Sequence, residues 1–325
     1  MIIKSILFFA IGLVLLIKGG DWFVDGATGI AKRFRLPDIV VGATVVSIGT
    51  TLPEVMVSTA GALAGSGAMA YGNAIGSIIC NTALIAAISI VCNPGPVNVK
   101  SMKTPAIFFF CSAALYCVAS YFLGEFPRWM GFMMLSIFVV YMVLTVRNGL
   151  KNPDAAAEEE EGETKERKLW QELILLVAGA AIIAIGADLL VEHGKIIAKE
   201  MGVPETVVAL LFVALGTSLP ELVTTITSLK KGRASLGVGN VIGANVFNLV
   251  LVSGVAVSLA PFEVPCENTL LNTGLNMSLV FEIPVMLGVM SLMVFPALIN
   301  KKLARWQGIA LLGIYGAFVV CQFVL

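Results

Sequence analysis

The chain has 325 residues, 58% of them hydrophobic and 13% charged, with 21 Lys+Arg against 21 Asp+Glu. A soluble domain carries about 25% charged residues. A chain this apolar therefore puts much of its surface in lipid, and its zero net charge offers no basic surface for nucleic acid. A single histidine, His193, and the absence of HExxH or GxSxG leave hydrolytic chemistry without its usual parts. The six cysteines show no CxxC and read as small hydrophobes.

A membrane-crossing helix needs about 20 mostly apolar residues. Ten such stretches can be cut from the chain, at 2–31, 37–64, 71–92, 104–123, 128–147, 170–199, 204–229, 236–260, 278–299 and 303–324. The first is apolar from Ile6 to Ile17 with no small-residue cleavage site behind it, and reads as a retained span. The second contains GTTLPE at 49–54. Turn signals at Asn93-Pro94-Gly95-Pro96 and Phe126-Pro127-Arg128 close the third and fourth. After the fifth comes an acidic stretch, 148–168, with Glu158 to Glu161; it lacks an EF-hand pattern and reads as a solvated connector. The seventh contains GTSLPE at 216–221, and the ninth starts near Glu282, ahead of Pro284, which reads as interfacial.

Sixteen Lys and Arg residues fall in the loops after spans one, three, five, seven and nine. Four fall on the other side: Lys4, Arg128, Lys195 and Lys199; Lys18 lies inside span one. Positive charge marks the cytoplasmic face, so the odd-numbered loops are expected inside and both termini outside. The short connector and the lack of targeting segments suit a prokaryotic plasma (inner) membrane.

Sliding the chain by 167 residues superposes the two hexapeptides and more. Over 42–81 against 209–248, 12 of 40 positions are identical without a gap, including Gly49/Gly216, Pro53/Pro220, Glu54/Glu221, Asn73/Asn240 and Asn81/Asn248. Asp21/Asp188 and Pro37/Pro204 match outside that window. The sequence thus predicts an all-α membrane protein of ten transmembrane helices in two five-helix repeats, 1–147 and 169–325, joined by 148–168. Five is odd, so the second repeat enters the membrane from the opposite side. Carriers built from inverted repeats hold their substrate near the midplane on interrupted helices.

Glu54 and Glu221 fall near the middle of their spans at 1.5 Å per residue. A carboxylate there is costly unless it faces a cavity, a cation or a proton. Proline removes a backbone donor and glycine loosens the preceding turn. Carbonyls of Ser47 and Thr50, or Ala214 and Thr217, are then expected to turn inward. Thr50 and Thr51 lie one turn before Glu54, and Thr217 and Ser218 one turn before Glu221. In the next span Asn73, Ser77 and Asn81 form a stripe; Asn240 and Asn248 repeat it, with Ala244 in the serine position and Asn245 added. Asn73 and Asn240 suit either interhelical bonding or ligation, while Asp21 and Asp188 suit a structural role. Gly72, Gly76, Gly239 and Gly243 are expected to let these helices approach closely. Such an all-oxygen donor set suits hard cations: Ca²⁺, Na⁺, Mg²⁺ or K⁺.

The paired GTSLPE-type motifs, each followed by a GN-x-x-G segment ending in asparagine, resemble the two alpha repeats of the calcium/cation antiporters, closest to the prokaryotic sodium/calcium exchanger type. The resemblance covers nearly the whole chain. It implies Ca²⁺/Na⁺ antiport with no prosthetic group, and makes Glu54 and Glu221 the acidic ligands shared by both ions. Thr50, Thr51, Ser77 and Asn81 would complete one half, with the Ser47 carbonyl. Thr217, Ser218 and Asn248 would complete the other, with the Ala214 carbonyl. Spans one and six would slide to switch access. Ala244 and Asn248 depart from common family patterns, and amides at both 81 and 248 argue against a potassium-dependent subtype. Ca²⁺/H⁺ exchange through the same site is the alternative, since protons compete for carboxylates in a low-dielectric site. A cation channel fits inverted repeats poorly, and an intramembrane enzyme would need a nucleophile–base pair that the sequence lacks. The partners implied are inorganic cations and the lipid bilayer.

Overall fold

The structure, a computed structural model, describes residues 2–151, 167–200, 216–265 and 275–324. They are almost entirely helical: α1 (Ile2–Arg33), α2 (Asp38–Leu63), α3 (Gly67–Cys92), α4 (Val99–Leu123), α5 (Arg128–Leu150), α6 (Leu169–Glu200), α7 (Leu219–Lys230), α8 (Ala234–Leu259), α9 (Ser278–Asn300) and α10 (Arg305–Val324). Among the described residues, eight helices are long and apolar enough to cross a membrane: α1 to α6, α8 and α9. Much of the seventh expected span, 204–215, lies outside the described residues, as does most of the acidic stretch.

Local chemistry moves several ends from where hydropathy put them. Asn98 accepts the backbone N–H of Ser101 and caps α4 five residues ahead of the expected start. α5 runs three residues past 147, to Leu150, with Asn148 donating to Thr104 of α4. α10 starts at Arg305 because Lys302–Leu303 pair as a strand.

Two short ribbons tie the loops together. β1 (Gly95–Pro96) pairs antiparallel with β4 (Lys302–Leu303), and β2 (Glu125–Phe126) with β3 (Phe262–Glu263). β1 precedes α4 and β2 follows it, while β3 precedes α9 and β4 follows it. The two ribbons therefore sit at opposite ends of α4, and α4 and α9 run between them in opposite directions. Counted from α1 and from α6, each is the fourth helix. The turns after α2 and α7 match as well: Gly65 (φ +83°) and Gly232 (φ +70°), equivalent by the 167-residue offset, both adopt the left-handed conformation that favours glycine.

Among the eight spans found, α8 is the most enclosed, followed by α3 and α2, and α6 is the least. α1 and α6 pack mainly on each other, along glycines that bring backbone to backbone. A Cβ at Gly12 would stand 2.8 Å from the Gly186 carbonyl oxygen, and one at Gly179 would stand 2.9 Å from the Gly19 oxygen. Those two contacts interchange under the repeat offset. The expected closeness at the asparagine helices appears at Gly239 and Gly243, which meet Ile39, Ala43 and Ser47 of α2. At Gly72 and Gly76 an added Cβ would meet nothing within 4 Å beyond the helix's own backbone, among the described residues.

Candidate functional site

Four elements converge at the centre: α2, α3, α8 and the segment around Ser218 that leads into α7. Ser47, Thr50, Thr51 and Glu54 of α2 are at most 1% exposed. So are Ser218, Glu221, Asn81 and Asn248, while Ser77 is 3% exposed. Thr217 is half-buried beside them, and Ala214 lies outside the described residues. Every described candidate except Thr217 is therefore buried inside the bundle.

The backbone at the two glutamates differs from the expectation in one half. α2 stays helical from Ser47 to Leu63 with Pro53 inside it, and its widened turn is at Gly42–Val46, upstream of Glu54. Pro53 removes only its own N–H, a loss the helix absorbs here without breaking. The extra residue is accommodated where Gly42 abuts the backbone of α8. Side chains take up carbonyls of the widened turn: Ser47 Oγ donates to Gly42 O (2.8 Å) and Tyr141 Oη to Ala43 O (2.8 Å). In the other half the chain does break. Ser218 sits outside helical geometry (φ −90°, ψ 5°) and α7 starts at Leu219, with Pro220 in its first turn.

Two further widened turns start at site residues. Asn81–Ala86 in α3 and Asn248–Val252 in α8 are equivalent by the repeat offset, and each turns its asparagine inward at 0% exposure. Such single widened turns recur at functional sites. Hydropathy carries no trace of them.

The hydrogen bonds interlock the halves. Thr50 Oγ1 donates to Asn240 Oδ1 (3.1 Å), and Thr217 Oγ1 donates to Asn73 Oδ1 (3.3 Å). These two bonds interchange when each residue is shifted by 167. Ser47 Oγ lies within bonding distance of Asn240 O (3.0 Å) and Oδ1 (3.3 Å). Asn73 Nδ2 donates to Ser58 Oγ (2.8 Å) and to Glu54 O (3.2 Å). Thr51 Oγ1 donates to Glu221 Oε1 (3.4 Å), which joins the turn carrying Glu54 to the other acid. Asn245 of α8 donates to Thr82 Oγ1 (2.7 Å) and Met290 Sδ (3.1 Å), a bond whose importance the sequence did not reveal. Asp21 carries a structural contact, as expected: Lys231 Nζ lies 3.6 Å from its Oδ1 and donates to its carbonyl oxygen (2.9 Å). Asp188 is exposed, and Glu282 bonds Ser278 and Gln322.

A second set of buried atoms has no hydrogen-bond partner among the described residues: both carboxylate oxygens of Glu54, Glu221 Oε2, Ser218 Oγ, and both amide atoms of Asn81 and of Asn248. A buried polar group without a partner costs about 1–3 kcal/mol, more when charged. Two unneutralised carboxylates cannot persist in such a place, so this cluster suits a positively charged partner. Among the described residues no three His, Cys, Asp or Glu side chains gather into a metal centre. The donors are two carboxylates and neutral oxygens, the chemistry of Ca²⁺ or Na⁺ rather than zinc.

The sodium/calcium exchanger protein model matches residues 4–147 and 172–324, nearly all of both halves. The chain belongs to the sodium/calcium exchanger family. The exchanger is 31% identical over 363 residues to sodium/calcium exchanger MaX1 of Methanosarcina acetivorans, covering 99% of each chain. It is 32% identical over 318 residues to the membrane protein MJ0091 of Methanocaldococcus jannaschii, covering 97% of each. Its fold matches the solved sodium-calcium exchanger NCX_Mj, soaked with Na⁺ and Sr²⁺, at a TM-score of 0.81 with 30% identity, over 98% of this chain and 99% of that one. The exchanger is an integral membrane protein with cation antiport as its family activity.

Proposed function

We propose that this exchanger moves Ca²⁺ against Na⁺ by alternating access, binding either ion between Glu54 and Glu221 at the membrane midplane. One observation carries the reading: two fully buried acids, one from each half, share the bundle interior with buried amide and hydroxyl groups that have no partner among the described residues. Two carboxylates balance one divalent ion, and monovalent ions competing for the same oxygens give exchange its physical basis. Thr50, Thr51, Ser77 and Asn81, with the Ser47 carbonyl, complete one side. Thr217, Ser218 and Asn248, with the Ala214 carbonyl, complete the other. Ser47 contributes its carbonyl because its hydroxyl is committed to neighbouring backbone.

The working architecture is ten spans in two inverted repeats, 1–147 and 169–325, with a cytoplasmic linker between them and both termini outside the cell. Support comes from the opposite directions of α4 and α9 between shared ribbons, and from the exchanged Thr–Asn bonds. Alternation needs equivalent halves in unequal states. α2 passes unbroken through Glu54 whereas α7 starts only at Leu219, and Asn73 bonds Ser58 whereas the equivalent atoms, Asn240 Nδ2 and Thr225 Oγ1, have no partner. The glycine-seamed pair α1 and α6 is the body that slides.

The test is Ca²⁺ uptake into proteoliposomes under an imposed Na⁺ gradient or an imposed proton gradient. Uptake driven by Na⁺ is the expected result. Uptake driven by protons alone would keep the site and replace the coupling ion, and no uptake under either gradient would overturn the proposal.

A further inference from the structure

Thr50 and Thr217 are proposed ion ligands, yet each also holds a hydrogen bond. A hydroxyl has one proton and two lone pairs. Thr50 gives its proton to Asn240 Oδ1 (3.1 Å), and Thr217 gives its proton to Asn73 Oδ1 (3.3 Å). With the proton so committed, only lone pairs remain to face the carboxylates and a cation. Without the amide oxygen, the hydroxyl is free to donate to a carboxylate, as Thr51 does to Glu221. A threonine that donates to a glutamate neutralises part of the charge meant for the ion.

The two amides are oriented differently. Asn73 Nδ2 is anchored on Ser58 Oγ and Glu54 O, which leaves Oδ1 toward Thr217. Asn240 lies in α8 at 0% exposure, and its Oδ1 lies within bonding distance of the hydroxyls of both Thr50 and Ser47. The bonds cross between halves: the amide of the first half serves the threonine of the second, and the reverse.

Resting on the site proposed above, we infer that Asn73 and Asn240 are positioning residues that orient the Thr217 and Thr50 hydroxyls, and thereby set cation affinity without touching the ion. This predicts a crossed pattern of coupling. Thr50 acts with Asn240 and Thr217 with Asn73, although sequence proximity pairs Thr50 with Asn73 and Thr217 with Asn240.

The experiment is a set of double-mutant cycles read by Ca²⁺ binding to the purified full-length exchanger, with Ca²⁺ KM and maximal rate in proteoliposomes alongside. Asn73→Leu and Asn240→Leu remove the acceptor at nearly constant volume; Thr50→Val and Thr217→Val remove the hydroxyl. Each single change is expected to weaken Ca²⁺ binding about three- to tenfold, the equivalent of one net hydrogen bond. Thr50→Val with Asn240→Leu, and Thr217→Val with Asn73→Leu, should be no weaker than about twofold below the worse single variant. The other two combinations should multiply. If a leucine variant is not recovered folded, Asn→Ser, too short to reach the threonine, replaces it in the same cycle. Multiplying effects in the crossed pairs, or equal coupling in all four, would overturn the inference. Glu54→Gln and Glu221→Gln, run beside these, separate the two failures. Binding that survives them refutes the site itself, while binding lost in them with multiplying crossed cycles refutes only the positioning role.

Discussion

Gly239 offers a sharp test of how α2 and α8 are held. An added Cβ there would stand 2.8 Å from Ile39 Cα and 2.9 Å from its carbonyl carbon, and would collide with the Ile39 oxygen. Ordinary contact begins at 3.4 Å, so the two backbones must part by roughly 0.6 Å or more, and no rotamer change relieves a clash with main chain. Overpacking of this kind costs about 1–3 kcal/mol. The displacement falls on the neighbouring residue, Asn240, whose 3.1 Å and 3.3 Å contacts with Thr50 and Ser47 have little slack. Gly239→Ala should therefore lower the unfolding temperature in detergent and weaken Ca²⁺ binding by up to about tenfold. Gly313→Ala, in α10 where an added Cβ would meet no described atom beyond its own helix within 4 Å, serves as control and should stabilise slightly by improving helix propensity. A Gly239→Ala exchanger with unchanged stability and affinity would refute direct backbone contact between α2 and α8.

Other outcomes follow from the same geometry. Asp38 and Arg233 form a buried ion pair at 3.3 Å, with side chains 5% and 7% exposed; Arg233→Met should cost about 3–5 kcal/mol, and the double change Asp38→Asn/Arg233→Met less than the sum of its singles, as read by thermal unfolding. The contact of Lys231 with Asp25 is partly exposed (29% and 33%), so Lys231→Ala should cost less than about 1 kcal/mol, measured as a shift in unfolding midpoint. Lowering pH should weaken Ca²⁺ binding, because a protonated carboxyl at 54 or 221 has lost the charge that attracts the ion; titrations at several pH values that show tighter binding in acid would contradict this.

The acids were legible because a carboxylate in a membrane-length apolar run has few harmless explanations, and its recurrence 167 residues later removes most of them. The asparagine stripes were legible from four-residue spacing. Their division of labour was not. Asn73 and Asn240 bond threonines of the opposite half, whereas Asn81 and Asn248 keep all their amide atoms unpartnered. That distinction depends on contacts between distant segments, which spacing along one helix cannot encode. The widened turns escaped for a related reason: Asn81–Ala86 and Asn248–Val252 have ordinary helix-compatible residues, and the extra residue per turn is stabilised by what packs around it. Helix ends shifted where a side-chain cap or a two-residue ribbon decided the boundary, as at Asn98 and Lys302.

The most direct measurement is calorimetric titration of Ca²⁺ into the purified exchanger, Glu54→Gln and Glu221→Gln, each with and without Na⁺. The account predicts a single Ca²⁺ per chain in the unmodified protein, weakened by Na⁺ in a competitive manner, and no measurable binding in either variant. Ca²⁺ binding that survives loss of one glutamate at full affinity, or that Na⁺ leaves untouched, would contradict a shared two-carboxylate site.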